Sequence, residues 1–227
     1  MALRREFREN LLVKKSLSLF VASLLTITLS ACGVQSQIYS SSKREGVYYS
    51  VPKDWNTISE AKLNAYEIKN AKGSAVDRQA LVKWQSAFST DKKTTPSEIF
   101  AIGAPEKPLA FARVRSLSID ELNAVSYNVL RDVIVPLSEW VNSPTADTPV
   151  YSIESDQEVV EKGARGVRTI FSFTHLGVSQ TIDQTAMLSN DHSTMYLFII
   201  RCTSACYAKN KKIMTQISNS FTVRGAK

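Results

Sequence analysis

The sequence predicts an α+β domain in which an antiparallel β-sheet is sandwiched between helices. In the last third, four extended segments, Val150 to Val160, Gly166 to His175, Val178 to Leu188 and Thr194 to Arg201, are separated only by short turn-forming stretches, the pattern of an antiparallel meander. One of them contains Met195 to Ile200 (MYLFII), apolar on both faces, so it should sit centrally with helices on either side. Helical spacing of apolar residues occurs both before and after the meander, which supplies those layers.

The first 31 residues stand apart from the fold. Arg4, Arg5, Arg8, Lys14 and Lys15 face only Glu6 and Glu9, giving the positive start of an export signal. Leu17 to Leu29 follows, apolar but interrupted by Ser18, Ser23, Thr26 and Thr28; it is shorter than the roughly 20 apolar residues that span a bilayer. The run closes in Leu29-Ser-Ala-Cys-Gly33, which resembles the bacterial lipobox. That resemblance implies that Cys32 accepts a diacylglyceryl group, that cleavage precedes it, and that palmitate-type acyl chains anchor the mature protein to the cell membrane or outer membrane on the extracytoplasmic side. An uncleaved signal anchor with a chance cysteine is the alternative. Two or three acyl chains hold durably, at about 0.8 kcal/mol per buried methylene.

Residues 32–46, including the Ser-rich QIYSSSKREG, have the composition of a flexible tether, so the single globular domain is expected over 47–227. Val47 to Val51 reads as a strand stopped by Pro52, with Trp55 on the turn. Thr57 and Glu60 have capping-box spacing, which predicts a helix to about Lys69. Val82, Trp84, Ser86 and Phe88 alternate as in a strand, while residues 92–108, with Pro96, Pro105 and Pro108, read as mostly loop with a short strand at Ile99 to Ile102. Ala110 to Ser116 is again strand-like. Ser118 and Glu121 form a second capping box, and Leu122, Val125, Val129 and Val133 extend one helical stripe toward Pro136. A polar loop, 142–149, leads into the meander. A stripe of Cys206, Asn210, Ile213, Met214 and Ile217 then predicts a last helix, and Ser220 to Val223 a closing strand.

The segments Tyr49-Ser-Val-Pro-Lys-Asp-Trp55 and Gly166 to Val223, ending in Ile-Ser-Asn-Ser-Phe-Thr-Val, resemble the PsbP-like superfamily; residues 57–150 match it only in element order. The resemblance implies an α/β/α sandwich, in a superfamily whose better-known members assist other proteins rather than catalyse. Bacterial lipoproteins of this kind look like adaptors or assembly helpers, although a fold alone does not fix function.

Of 28 Lys/Arg and 21 Asp/Glu, the signal holds five and two, leaving 23 against 19, a net of +4. That excess suits anionic lipid headgroups or envelope polymers, and no motif points to nucleic acid. With Cys32 acylated, Cys202 and Cys206 remain as a pair and are expected to form a disulfide in an oxidising compartment; free thiols, redox chemistry and metal binding are weaker readings. Glu154, Asp156 and Glu158 alternate along one segment, which places three carboxylates on one strand face. They could hold calcium or magnesium, but charges that protect a solvated edge strand explain them better. Arg113 and Arg115 share a face with Phe111, and Lys209, Lys211 and Lys212 lie on the last helix; together these are a candidate headgroup or acidic-partner patch, or simply polar faces. Trp84, Phe171, Phe173, Tyr196 and Phe198 read as core, with Trp55 and Trp140 nearer loops.

His175 and His192 both fall in turns, and no G-x-S-x-G elbow surrounds any serine. The expectation is therefore a non-enzymatic, membrane-tethered accessory domain with an envelope protein partner and no cofactor. A carrier holding a lipid or other amphiphile in an apolar cleft comes second and an undetected hydrolase third. A carrier requires a cavity of at least about 300 Å³, whereas an adaptor requires an exposed apolar patch.

Overall fold

The computed structural model describes residues 36–225. The expected signal segment and Cys32 lie outside the described residues. Among those residues, seven strands form one antiparallel sheet in the order β3-β4-β5-β9-β8-β7-β6. They are β3 (Asn56–Ile58), β4 (Val82–Ser89), β5 (Leu109–Ser116), β6 (Tyr151–Val160), β7 (Ala164–His175), β8 (Val178–Ser189) and β9 (Thr194–Thr203). β9 stands in the middle of that order and is buried along nine of its ten residues, as the two-sided apolar run requires. A smaller sheet, β1-β2-β10, joins β1 (Gln37–Ser42) and β2 (Val47–Pro52) to β10 (Thr222–Val223).

Each face of the large sheet carries its own core. On one side lie α7 (Ser204–Ser220) and the small sheet, enclosing Tyr49, Val51, Phe88, Phe198, Met214 and Phe221. Tyr49 is the hub of that core. Its ring meets Phe88, Phe198 and Trp84 edge-on at 5.9, 5.1 and 6.5 Å. Its hydroxyl shares a 2.6 Å hydrogen bond with Ser86, and burial pushes its pKa up to about 12. Trp55, near a loop in sequence, is buried in this same core.

Short helices cover the other face: α1 (Glu60–Asn70), α3 (Pro96–Phe100), α5 (Tyr127–Arg131) and α6 (Leu137–Asn142) place Leu63, Ile99, Leu130 and Leu137 against Phe111, Phe171, Ile182 and Leu197. Trp140 packs on their margin against Tyr151 and Phe173. α2 (Ser74–Ala80) contributes no buried residue. The helices are therefore on both sides, and no helix among the described residues is long and apolar enough to cross a membrane.

Several expectations are corrected. The stretch 37–46 is not a free tether: Gln37 to Ser42 pair in register with Pro52 to Val47, Ile38 packs on the core, and the Ser40 and Ser86 hydroxyls lie 3.0 Å apart. A Ser-rich composition lacks a packing signal, but the backbone ladder and one apolar side chain suffice to order it. Thr57 lies in β3, and Ser59 is the N-cap of α1, accepting from Lys62 N. The single helix expected from Ser118 to Pro136 is two: α4 (Ile119–Ala124) stops at an extended Val125, and Ser126 caps α5 by accepting from Val129 N. A competing N-cap serine breaks a helix that the apolar spacing alone would continue. Instead of a strand at Ile99 to Ile102 there is α3, where Thr95 and Glu98 form a capping box around Pro96.

The C-terminal strand is threaded between two glycines. Arg224 N donates to Gly46 O at 2.8 Å and Gly163 N to Val223 O at 3.2 Å. A Cβ at Gly163 would stand 2.0 Å from Gly225 N, and one at Gly46, whose φ is +67°, 1.9 Å from Gly225 O. Gly163→Ala should therefore destabilise the domain by about 3 kcal/mol, the upper range for overpacking, because the atoms it meets are backbone. Urea unfolding checks this; an unchanged midpoint would mean that β10 is not held there.

Candidate functional site

The acidic segment does not gather its three carboxylates into one cluster. A β-bulge between Ile153 and Ser155 turns Glu154 out of phase, so that it pairs with Lys211 on α7. Asp156 faces the other side, held by Arg131 at 2.9 Å and the Thr169 hydroxyl at 2.9 Å, and Glu158 pairs with Arg165 at 3.3 Å. Two of the carboxylates thus remain on one face, and all three have cationic partners. No group of three His, Cys, Asp or Glu gathers among the described residues. β6 does lie at the sheet edge, where its charges and bulge hinder pairing with another strand.

The expected basic patch also divides. Lys209, Lys211 and Lys212 lie on α7, over one face of the sheet, whereas Phe111, Arg113 and Arg115 belong to the opposite face. Cys202 and Cys206 are joined by a disulfide that ties the end of β9 to the first turn of α7. His175 ends β7 and His192, with φ +60°, turns between β8 and β9, so they stand at opposite ends of the meander.

What the structure does assemble is a cleft of about 550 Å³ on the short-helix side. Its floor is the face of β5 and β9 bearing Phe111, Leu197, Ile199 and Met195; Phe100 and Ile102 close one wall and Val133 and Ile134 the other. The floor residues Met195, Leu197 and Ile199 keep 5%, 7% and 8% exposure, against 1%, 0% and 0% for Tyr196, Phe198 and Ile200 on the α7 face. The cleft is thus the place where the helices leave β9 incompletely covered.

Arginines frame it. Arg113 reaches Glu67 and Gln85, each at 2.7 Å, with its guanidinium 5.2 and 5.1 Å from the ring centroids of Phe100 and Phe111. Burial lowers its pKa, and the Glu67 carboxylate opposes that shift. Arg115 grips Glu121 with two hydrogen bonds of 2.7 and 2.8 Å. Arg201, opposite Leu109 in the ladder, is only 3% exposed. It donates to the carbonyls of Glu98, Ile99, Ala101 and Ile102 at 2.9, 3.2, 2.6 and 3.1 Å, capping the C-terminal end of α3. Burial brings its pKa down to about 10, which leaves it charged at neutral pH. Asp132 accepts from Ser138 N at 2.7 Å.

Sequence reading found Phe111, Arg113 and Arg115 as one face but missed Arg201, Phe100 and Ile102. The available signal for Arg201 was a cation continuing the alternation of an otherwise apolar, two-sided strand. For Phe100 and Ile102 it was the capping box at Thr95.

No protein-family model matches the sequence, and no curated protein matches it. Among solved structures the chain is similar to the cyanobacterial PsbP of Synechocystis sp. PCC 6803, at 11% identity and a TM-score of 0.45 over 86% of this chain and 97% of that one. It is also similar to LpqN, involved in cell envelope biogenesis of Mycobacterium tuberculosis, at 12% identity and 0.46 over 82% and 91%. A third is a Ran-binding protein of Saccharomyces cerevisiae, at 10% identity and 0.42 over 83% and 96%.

Two outcomes follow from these contacts. The Arg115 hydrogen bonds hold the Glu121 pKa below its ordinary value, so this carboxylate stabilises the fold above the unfolded-state pKa near 4.3, and the contribution is lost as pH falls through the lower folded-state pKa. Between pH 5 and 3 the unaltered protein should lose more stability than Glu121→Gln, as read from denaturant midpoints; parallel losses would show that the pair contributes nothing. Reducing the Cys202–Cys206 bond should cost about 2 kcal/mol by loop entropy, measured by urea unfolding with and without reductant.

Proposed function

We propose that this protein is a non-enzymatic, extracytoplasmic lipoprotein, anchored by acyl chains on Cys32 after removal of residues 1–31, whose domain binds an amphiphilic ligand. The cleft carries this reading. Its volume of about 550 Å³ exceeds the roughly 300 Å³ at which small-molecule sites begin, and its floor is apolar while its rim is charged. The size criterion set for a carrier is therefore met, which moves the carrier ahead of the adaptor that sequence reasoning ranked first. The non-enzymatic part rests on the same lining. Glu121 is engaged by Arg115 and Asp132 by a backbone amide, and among the described residues neither histidine nor cysteine lines the cleft.

A second reading, a protein adaptor, is favoured by a separate feature. Val150, Leu176 and Val178 are 82%, 90% and 49% exposed and lie together at one end of the meander, where Thr174 N donates to Val150 O and His175 pairs with Val178. Such a tip offers apolar contact to another protein.

Photo-crosslinking the membrane-anchored protein with a diazirine-bearing dodecanoate separates the two. The carrier reading expects saturable adducts on peptides containing Phe100, Phe111 and Leu197, reduced at least tenfold in Leu197→Trp, which fills the cleft. Labelling that neither saturates nor responds to that substitution would sink the carrier. The anchor has its own check: Cys32→Ala should remain uncleaved and lack acyl mass by mass spectrometry, and normal maturation would refute acylation at this residue.

A further inference from the structure

We infer that Arg201 is the headgroup site of the cleft and that its ligand is a single-chain amphiphile with an anionic oxygen head, a carboxylate or a phosphate; this rests on the carrier reading above. The charge balance of the arginines leads there. Arg113, Arg115 and Arg168 are the other largely buried guanidinium groups of the large sheet, and each has a carboxylate oxygen at 2.7 Å, from Glu67, Glu121 and Asp183 respectively. Arg201 is as buried as any of them, yet among the described residues it has no carboxylate partner. Its four hydrogen bonds all end on backbone carbonyls. Carbonyl dipoles solvate a guanidinium but leave its unit charge uncompensated, which is costly in a dry setting.

The position of that charge relative to the apolar surface gives the ligand its shape. Met195, Leu197, Ile199 and Arg201 alternate on one face of β9, and all four line the cleft. The apolar stripe is therefore continuous with the guanidinium at one end, along about 20 Å of strand. Phe100 and Ile102, from the same segment whose carbonyls hold Arg201, wall that end. Taking out the Arg113–Glu67 and Arg115–Glu121 pairs leaves Arg201, exposed Arg78 and Asp132 among the charges of the lining, a net of one positive charge. An apolar chain along the stripe and a single anionic head at Arg201 complement this arrangement in both form and charge. A guanidinium suits such heads because it offers donors in a planar fork.

The test is competition against the diazirine-dodecanoate adduct on the full, membrane-anchored chain, with dodecanoate, dodecyl phosphate, dodecanol and inorganic phosphate as competitors. The expected result is that the two anionic amphiphiles compete at least tenfold better than dodecanol, that inorganic phosphate alone fails, and that Arg201→Gln brings the three dodecyl compounds level. The better of carboxylate and phosphate identifies the head. Equal competition by dodecanol would overturn the headgroup assignment while leaving the carrier reading standing, and competition by inorganic phosphate would overturn the need for a tail. Absence of any saturable adduct would instead remove the carrier reading itself. Loss of Arg201 also releases the end of α3; should Arg201→Gln fail to fold, the competitor series on the unaltered protein decides the matter.

Discussion

Both faces of β9 must be kept from water, and the remainder of the fold is arranged around that requirement. A run of six apolar residues in an extended strand directs three side chains to each side, so a single covering layer cannot suffice. One layer comes from the chain ends: β1 and β2 at the start, α7 and β10 at the finish, drawn together over Tyr49. The other comes from the middle of the chain, as short helices. Neither half of the sequence completes the core without the other, because residues from both halves enter each of the two apolar clusters.

The two layers differ in kind, and the site follows from the difference. α7 is a single 17-residue helix that lies over β8, β9 and β2 and closes its face. Its polar contacts are equally closed, with Asp183 fully buried beneath Arg168 and the Tyr207 hydroxyl. Coulombic opposition from that carboxylate adds to burial in raising the Tyr207 pKa. The opposite layer consists of helices of five to eleven residues, of which α1, α3 and α5 are capped by Ser59, Thr95 and Ser126. Short separate helices leave gaps between them, and the gap between α3 and the segment from Val129 to Ile134 is the cleft.

The meander and the last helix were readable in the sequence because period-two alternation, short turns and helical apolar spacing are local signals. Val178 to Ser189 and Thr194 to Thr203 extend the expected strands by only one or two residues. The middle of the chain was less readable because caps there compete with apolar spacing: Ser126 overrules the stripe running through Val125 and Val129, and Thr95 converts an apparent strand into α3. The site was half readable for a related reason. Arg113 and Arg115 declare themselves as neighbours on one strand face, but Arg201 acquires its meaning from carbonyls about a hundred residues earlier, and such partners have no sequence signature. The bulge at Ile153 was likewise silent, and it moves Glu154 away from Asp156.

The pairing of β1 with β2 also bears on the proposed lipid anchor. With Cys32 acylated, as proposed, residues 33–36 alone separate the anchor from the first strand, and the five steps to Gln37 extend no further than about 18 Å. A fifteen-residue leash would have reached about 50 Å and allowed the domain to search a wide volume of the envelope. Acylation at Cys32, if it occurs as proposed, would leave the domain the shorter reach. Under the proposed anchor and carrier role, whatever the domain exchanges would have to arrive at the membrane surface that holds it.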